Sequence, residues 1–396
     1  MSERLIVVLL SLLLGIQAIT TDLYLPAMPL LAGELGASAA QAQLTLTGLL
    51  LAFGLSQLVW GPLSDRWGRR PVLWLGLLGY TVGALGAVLT TSIEHLVVWR
   101  SVQGAAMGAS VMGSRAIVRD LYPPLEGARM MSRALTGLGI IACLSAPLGG
   151  VLAQWLGWRS ALTTLVVFGS LTFLLMHLRF QETLPERNPR ALKPRVLART
   201  WWSILKHPTF RAFAFQSMGA FGVLFTFLAS SPFVFVQVLE LSKALFGLVL
   251  FASSGVYILG TLLCRASLPR WGLRRTLQLA SSLSASGALL MAGFAYLGWA
   301  SVSTLLLPYL LMMLAHGIHQ PISQSGAVGP FPQAAGAASA LSGFMMTLVA
   351  FVTGSWLGQR LDGTVFPLIE GELFWAACLV LNTVTLVRWH GEARER

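Results

Sequence analysis

The sequence predicts an all-α integral membrane protein with twelve transmembrane helices in two pseudo-symmetric bundles of six. Three observations predict it. Only 11% of the 396 residues are charged and 55% are hydrophobic, against about 25% charged in a soluble domain, so most of the surface has to face lipid. Apolar runs of roughly 20 residues, enough to cross a ~30 Å hydrocarbon core, recur along the whole chain. A basic motif also returns at the same topological position in each half of the chain.

Gly, Pro and charge punctuate the chain into spans at 5–26, 44–62, 72–91, 96–118, 131–153 and 160–179. A second set follows at 210–236, 245–265, 276–297, 302–322, 335–357 and 366–388. The opening residues MSERLIVVLLSLLLGIQAI have the look of a signal peptide. No small-residue cleavage site follows them, and TTDLYLP continues the apolar run, so they are expected to stay as the first span. The polar stretch 180–209, rich in proline and charge, reads as a cytoplasmic linker between an N-terminal bundle (1–179) and a C-terminal bundle (210–396).

Charge sets the orientation. With the N-terminus in the cytoplasm, all of the 27 Lys and Arg except Arg100, Arg159, Lys243 and Arg360 fall on cytoplasmic loops or span ends, as the positive-inside rule requires. Both termini are therefore expected in the cytoplasm of a cell with an inner membrane. The net charge of +12 is accounted for by topology, and no nucleic-acid partner is expected. Cys143, Cys264 and Cys378 stand far apart in apolar runs, with no metal-ligand spacing. The halves echo one another: DRWGRRPVL (65–73) matches PRWGLRRTL (269–277) at Arg66/Arg270, Trp67/Trp271, Gly68/Gly272, Arg70/Arg274 and Leu73/Leu277. A match at that position favours duplication, and two such halves are what secondary transporters use to alternate access to a central site.

The most specific string is GPLSDRWGRRP (61–71). Gly61 and Pro62 are expected to end the second span, with Gly68 in a tight turn that carries Asp65, Arg66, Arg69 and Arg70. A positive-inside anchor with a solvated acid would account for the charges. The string also resembles the loop signature GxLxDRxGRR of the major facilitator superfamily. The resemblance implies a conformational latch between halves, formed by Gly61, Asp65, Arg66, Gly68, Arg69 and Arg70, with Asp120 as a partner for Arg69. The second copy has Pro269 in place of Asp65 and is not expected to latch equally. In LVVWRSVQGAAMG (96–108), Arg100, Gln103 and Gly104 are similar to the superfamily's fourth-helix signature RxxQG. An arginine at bilayer depth costs at least ~2.5–3.5 kcal/mol, so it faces a cavity or partner or snorkels to the headgroups.

One acid, Asp22, lies in an otherwise uncharged first span. Taking Ala27 and Leu96 as the outer boundaries, a rise of ~1.5 Å per residue puts Asp22 about 8 Å deep and Arg100 about 6 Å deep. The matched depths lead us to expect that Asp22 binds a coupling proton and that Arg100 interacts with it directly or through water. Desolvation and a nearby arginine move a carboxyl in opposite directions, a balance that opening to either side would shift. The structural alternative is that Asp22 caps or kinks the helix end before Pro26.

Beyond the loop, TDLYLPAMP, SRAIVRDLYPP (114–124), SSPFVFV (230–236) and GAASALSGF (336–344) resemble the bicyclomycin-resistance (Bcr/CflA) branch of the superfamily, which consists of proton-coupled drug exporters. LSAPLGG (144–150) resembles the antiporter signature GPxxGG, with Pro147, Gly149 and Gly150 in place and Ala146 replacing the first glycine. The resemblance places Gln17, Tyr24, Phe53, Gln57, Met107, Phe225, Phe235 and Tyr257 on spans that line the cavity. Their mixture of aromatic surface and few polar groups suits amphipathic molecules, although packing or lipid contact explains most aromatics in spans equally well. His316 and His319 share a helix face without a nearby acid, so packing or a polar lining is expected there and no metal site.

The expected function is proton-coupled antiport of drug-like small molecules, by a monomer, with H⁺ as coupling ion and no cofactor. Export of an endogenous metabolite such as an amino acid or siderophore is the alternative, since substrate choice lives in the cavity and not in the fold. An embedded enzyme would need converging reactive groups. By this reading the spans hold one carboxylate, one deep arginine and two histidines, too few for such chemistry. A sensor using the same fold would differ by moving nothing under a pH gradient.

Overall fold

The computed structural model describes residues 2–122, 124–184, 187, 194–331 and 334–390. The linker residues Arg190 and Lys193 and the C-terminal Arg394 and Arg396, part of the positive-inside argument, lie outside the described residues, as does the side chain of Arg129.

Among the described residues every regular element is helical. In order these are α1 (Glu3–Asp22), a 3-10 turn (Leu25–Ala27), α2 (Met28–Glu34), α3 (Ala39–Trp67), α4 (Arg69–Leu89), α5 (Ile93–Leu121), α6 (Pro124–Trp155) and α7 (Trp158–Arg179). There follow α8 (Pro194–Lys206), α9 (Pro208–Phe233) with a π turn (Val234–Val238), α10 (Lys243–Tyr296), α11 (Val302–Val328), α12 (Ala335–Arg360), α13 (Phe366–Asn382), a second π turn (Thr383–Val387) and α14 (Arg388–His390). Local chemistry starts these helices. Ser2, Ser92 and the capping boxes Ser38/Gln41 and Ser301/Thr304 satisfy first-turn N–H groups that have no partner inside the helix.

Ten of the helices are long and apolar enough to cross a membrane. α5 falls short on hydropathy because it carries Glu94, His95, Arg100, Arg115, Arg119 and Asp120. α10 counts once, yet its 54 residues would reach about 80 Å at 1.5 Å per residue, far beyond one bilayer. It breaks at Gly272, whose φ of 73° is left-handed and suits glycine, so it supplies two spans. With α5 and both arms of α10, the described residues supply twelve membrane-length helices.

Three expectations about boundaries change. The helical path of the first span does not end near Ala27: it continues through the 3-10 turn and α2 to Glu34. Pro62 does not end the second span, because α3 runs through it to Trp67; a proline removes one backbone donor and bends a helix, and flanking turns carry it on. Within the expected linker, α8 is an ordered helix. It directs Ile204 into a core cluster with Phe210, Phe213 and Ile318 while Arg195, Arg199, Trp202 and Lys206 face outward.

The chain divides into two compact units, Met1–Pro194 with Lys243–Leu250, and Arg195–Ser242 with Phe251–Arg396. In the first, α5 packs on α3 and α4, and α1 on α6. In the second, α9 is the central helix, packed against α11, α12 and α13, which is why most of its residues from Phe210 to Phe233 are buried.

Candidate functional site

Asp22 is the last residue of α1. Pro26 carries no N–H and its ring disfavours α geometry in the residue before it, so regular α structure stops here and resumes at Met28, with Pro29 in the first turn of α2 where a missing N–H is tolerated. Asp22 is thus not at the end of this helical path. Twelve residues separate it from Glu34, about 18 Å of helical rise, and it sits at a break within a 32-residue path.

The break collects polar groups. Thr21 Oγ1 donates to Asp22 Oδ1 at 2.8 Å, and the Asp22 carboxylate forms no ion pair among the described residues. Thr20 Oγ1 bonds Tyr80 OH of α4 at 2.6 Å and donates to Ile16 O. The guanidinium of Arg100, fully buried on α5, reaches the same turn. Its Nη2 donates to Thr20 O at 3.1 Å, its Nη1 to Gln103 Oε1 at 2.7 Å, and it lies 4.4 Å over the centroid of the Tyr24 ring. Carbonyls in the last turn of a helix need partners from outside it, and Arg100 supplies one to Thr20. The direct Asp22–Arg100 pair, one of the two forms expected, is absent here: the arginine is committed to the backbone, to Gln103 and to the aromatic face. Arg100 Nε and Gln103 Nε2 are buried without a hydrogen-bond partner.

Tyr24 also departs from expectation. Its ring is fully buried beneath Arg100, and its hydroxyl bonds Thr45 Oγ1 at 2.6 Å, so it builds the arginine site and lines no open surface. Of the other cavity candidates, Gln17 and Tyr257 are half-buried, while Phe53, Gln57, Met107, Phe225 and Phe235 are buried. Phe225 stacks on Phe221, and Phe235 meets Phe227 edge-on at 5.7 Å, with Phe227 stacked on Tyr309.

The antiporter-like segment packs against this break. A Cβ on Gly149 would stand 2.0 Å from the Leu23 carbonyl oxygen, and one on Gly150 2.5 Å from Lys243 O, so both positions need glycine for two backbones to touch. Pro147 lies within α6, and its Cα borders Gly247.

At the other end of the unit, Gly68 takes a φ of 107° between α3 and α4. Arg69 is 1% exposed and gathers the loop's charge. Its Nε and Nη2 donate to Asp120 Oδ2 and Oδ1 at 2.7 and 3.3 Å, and Nη1 donates to Asp65 Oδ1 at 2.7 Å and Ser64 Oγ at 3.0 Å. Arg70 donates to His177 O and lies over Trp74. Arg66 is exposed, and a Cβ added to Gly61 would meet only Met112 Cε, at an ordinary 3.7 Å. Sequence reasoning missed Glu182. Its carboxylate accepts from Arg69 N and Arg70 N at 2.9 and 3.1 Å and so caps α4 from 113 residues away. Partial burial pushes the Glu182 carboxyl up, but the N–H groups of Leu184, Arg69, Arg70 and Thr183 outweigh it and hold the group below the usual carboxylate range. The capping partner is remote in sequence, so only the fold reveals it.

One further feature corrects the sequence reading. The spans hold more than one carboxylate: Glu372 of α13 is fully buried, and the string EGE inside the twelfth span was its signal. His316 and His319 both turn toward α9, where His316 Nδ1 donates to Ala220 O and His319 Nδ1 accepts from Gln216 Nε2, each at 3.0 Å. Gln216 also accepts from Asn382 and bonds Thr383, which meets Ser281, so His319 belongs to a buried polar network across four helices. No cluster of three or more His, Cys, Asp or Glu among the described residues is placed to hold a metal.

Comparison with known proteins agrees with this architecture. The chain is 29% identical to a chloramphenicol resistance protein of Pseudomonas aeruginosa, over 92% of this chain and 85% of the relative. It is 27% identical to a bicyclomycin resistance protein homolog of Haemophilus influenzae (92% and 90%) and 28% identical to multidrug resistance protein D of Escherichia coli (88% and 87%). Its fold superposes on the proton:xylose symporter XylE with a TM-score of 0.72 at 14% identity, covering 98% of this chain and 96% of that one. The family model of the Major Facilitator Superfamily matches residues 10–354, and with its helical architecture this chain belongs to that superfamily of multi-pass membrane transporters.

Proposed function

We propose that the protein is a proton-coupled antiporter that exports drug-like amphipathic molecules across the bacterial inner membrane by alternating access. The observation that carries this reading is Asp22, a carboxyl without an ion pair at the break in α1. It shares that turn with Arg100, which holds Thr20 O and keeps Nε unpartnered. A proton arriving from outside binds the Asp22 carboxylate. When the site opens inward the proton leaves, and the ionised carboxylate gains a donor from Arg100. Inward proton movement supplies about 2.3 kcal/mol per elementary charge per 100 mV, and the drug travels the other way. The names of the three bacterial relatives support a drug as cargo. The positive-inside pattern supports cytoplasmic termini, and the cluster of Asp65, Arg69 and Asp120 serves as the latch that holds one conformation between cycles. The protein works as a monomer, each chain carrying its own site.

The test uses the purified protein in liposomes with a trapped pH indicator and an imposed pH gradient, with chloramphenicol as the first probe. Wild-type protein should exchange protons when the drug is added, and Asp22→Asn should abolish the exchange. A drug-susceptibility panel in an efflux-deficient host should show the same loss. Full proton-driven transport by Asp22→Asn would remove the coupling role from this residue, and a wild-type protein that moves nothing under the gradient would remove the antiport reading altogether.

A further inference from the structure

The N-terminal unit supplies Asp22, and the C-terminal unit contains an acid of its own. α13 starts at Phe366, and Glu372 lies six residues in, about 9 Å along the helix. Its side chain is 0% exposed, and neither carboxyl oxygen has a hydrogen-bond partner. The neighbouring Gly371 brings α13 close to its companions: a Cβ there would meet Thr226 Cγ2 of α9 at 2.6 Å and Trp356 of α12 at 3.4 Å. Thr226 Oγ1 and, on α12, Thr353 Oγ1 are also buried without partners. The α9–α12–α13 packing thus holds a carboxyl and two hydroxyls whose hydrogen-bonding capacity is unused.

Among the described residues, no cation forms an ion pair with the acid. Between Arg211 at its first turn and its end at Phe233, α9 carries no titratable group. α12 carries only Arg360, exposed in its last turn, and α13 itself adds the exposed Glu370 and the half-buried thiol of Cys378, neither of them a cation. An ionised carboxylate shut away from water with neither ion pair nor hydrogen bond is the most expensive arrangement a carboxyl can adopt. The neutral acid avoids that cost and gains an O–H to donate. Ionisable groups at membrane depth are rare and mark ion or proton paths.

We propose that Glu372 is a second proton-carrying carboxyl of the transport cycle, loaded with H⁺ in the conformation described here and emptied when water reaches it in another. The step is a simple exchange: the carboxylate takes one H⁺ to become the acid, and releases the same H⁺ on the other side. This inference rests on the proton-coupled reading above, and adds that each unit contributes one acid.

The experiment combines infrared difference spectroscopy with proton-exchange measurements, both on the full-length protein in liposomes, with chloramphenicol as the probe. The wild type should show a protonated-carboxyl stretch that fades as the pH is raised from mildly acidic to mildly alkaline. Glu372→Gln should delete part of that band, Asp22→Asn should leave that part in place, and Glu372→Asp should restore it at a shifted frequency. Glu372→Gln should roughly halve the protons exchanged per drug, as two carriers become one. If the Gln variant does not fold, the band shift in Glu372→Asp carries the assignment. A band that Glu372 substitutions do not touch, or one that ignores pH, overturns the proposal, as does unchanged proton exchange in Glu372→Gln. If Asp22→Asn abolishes exchange while Glu372→Gln preserves it, the antiporter reading stands and this inference falls. If neither substitution affects a wild type that exchanges no protons, both fall.

Discussion

The Arg69–Asp120 pair is best tested by a double-mutant cycle. Arg69 is 1% exposed and Asp120 6% exposed, so Arg69→Met strands a carboxylate away from water. Removing one partner of a buried ion pair costs about 3–5 kcal/mol, whereas replacing both by apolar groups of similar volume is close to neutral. Two features of the site place the expected cost at the lower end. Asp65 is 41% exposed and turns to water when it loses Arg69, and Arg119, 63% exposed with Nε 3.8 Å from Asp120, can swing in as a weak substitute. Arg69→Met and Asp120→Leu should each lower the unfolding free energy of the purified protein by about 3 kcal/mol, and the double variant should recover most of one single loss. The measurement is denaturant unfolding in detergent, followed by tryptophan fluorescence. Strictly additive single losses would refute the reasoning, because they would mean that Asp120 is solvated once Arg69 is gone and the pair is not buried in the sense used here.

Three other outcomes follow from the geometry. Gly149→Ala should disrupt the α1–α6 contact severely, since the obstacle, the Leu23 carbonyl 2.0 Å from the new methyl, is backbone and cannot rotate away; a variant that purifies with the wild-type thermal midpoint would contradict this. Arg100→Lys, read by thermal unfolding, should lose about 1–3 kcal/mol for each of Thr20 O and Gln103 Oε1 left orphaned, because one ammonium cannot reproduce the planar fork; unchanged stability would contradict the assignment. Glu182 is held below its unfolded value of about 4.3, so its cap on α4 contributes fully above that value and fades as pH falls through the lower folded one. Glu182→Gln should therefore be less stable than wild type at neutral pH and converge with it on acidification, in thermal melts across a pH series.

How much of this was legible without coordinates differs by feature, and the reason is dimensional. A bilayer imposes a one-dimensional constraint, apolar length and charge along the chain, so the twelve spans could be read from hydropathy and punctuation, and the loop around Gly68 from its residues. Asp22 announced itself in the same way, as a lone acid in apolar surroundings. Partnering depends on something the order of residues does not contain, namely the rotation of each helix about its axis and the neighbours it meets. That rotation carried Arg100 to Thr20 O and Tyr24 and away from Asp22, turned Tyr24 into a wall of the arginine site, and brought Glu182 to the start of α4. It also left Glu372, two residues from an exposed acid on the same helix, fully buried with no hydrogen-bond partner for either carboxyl oxygen.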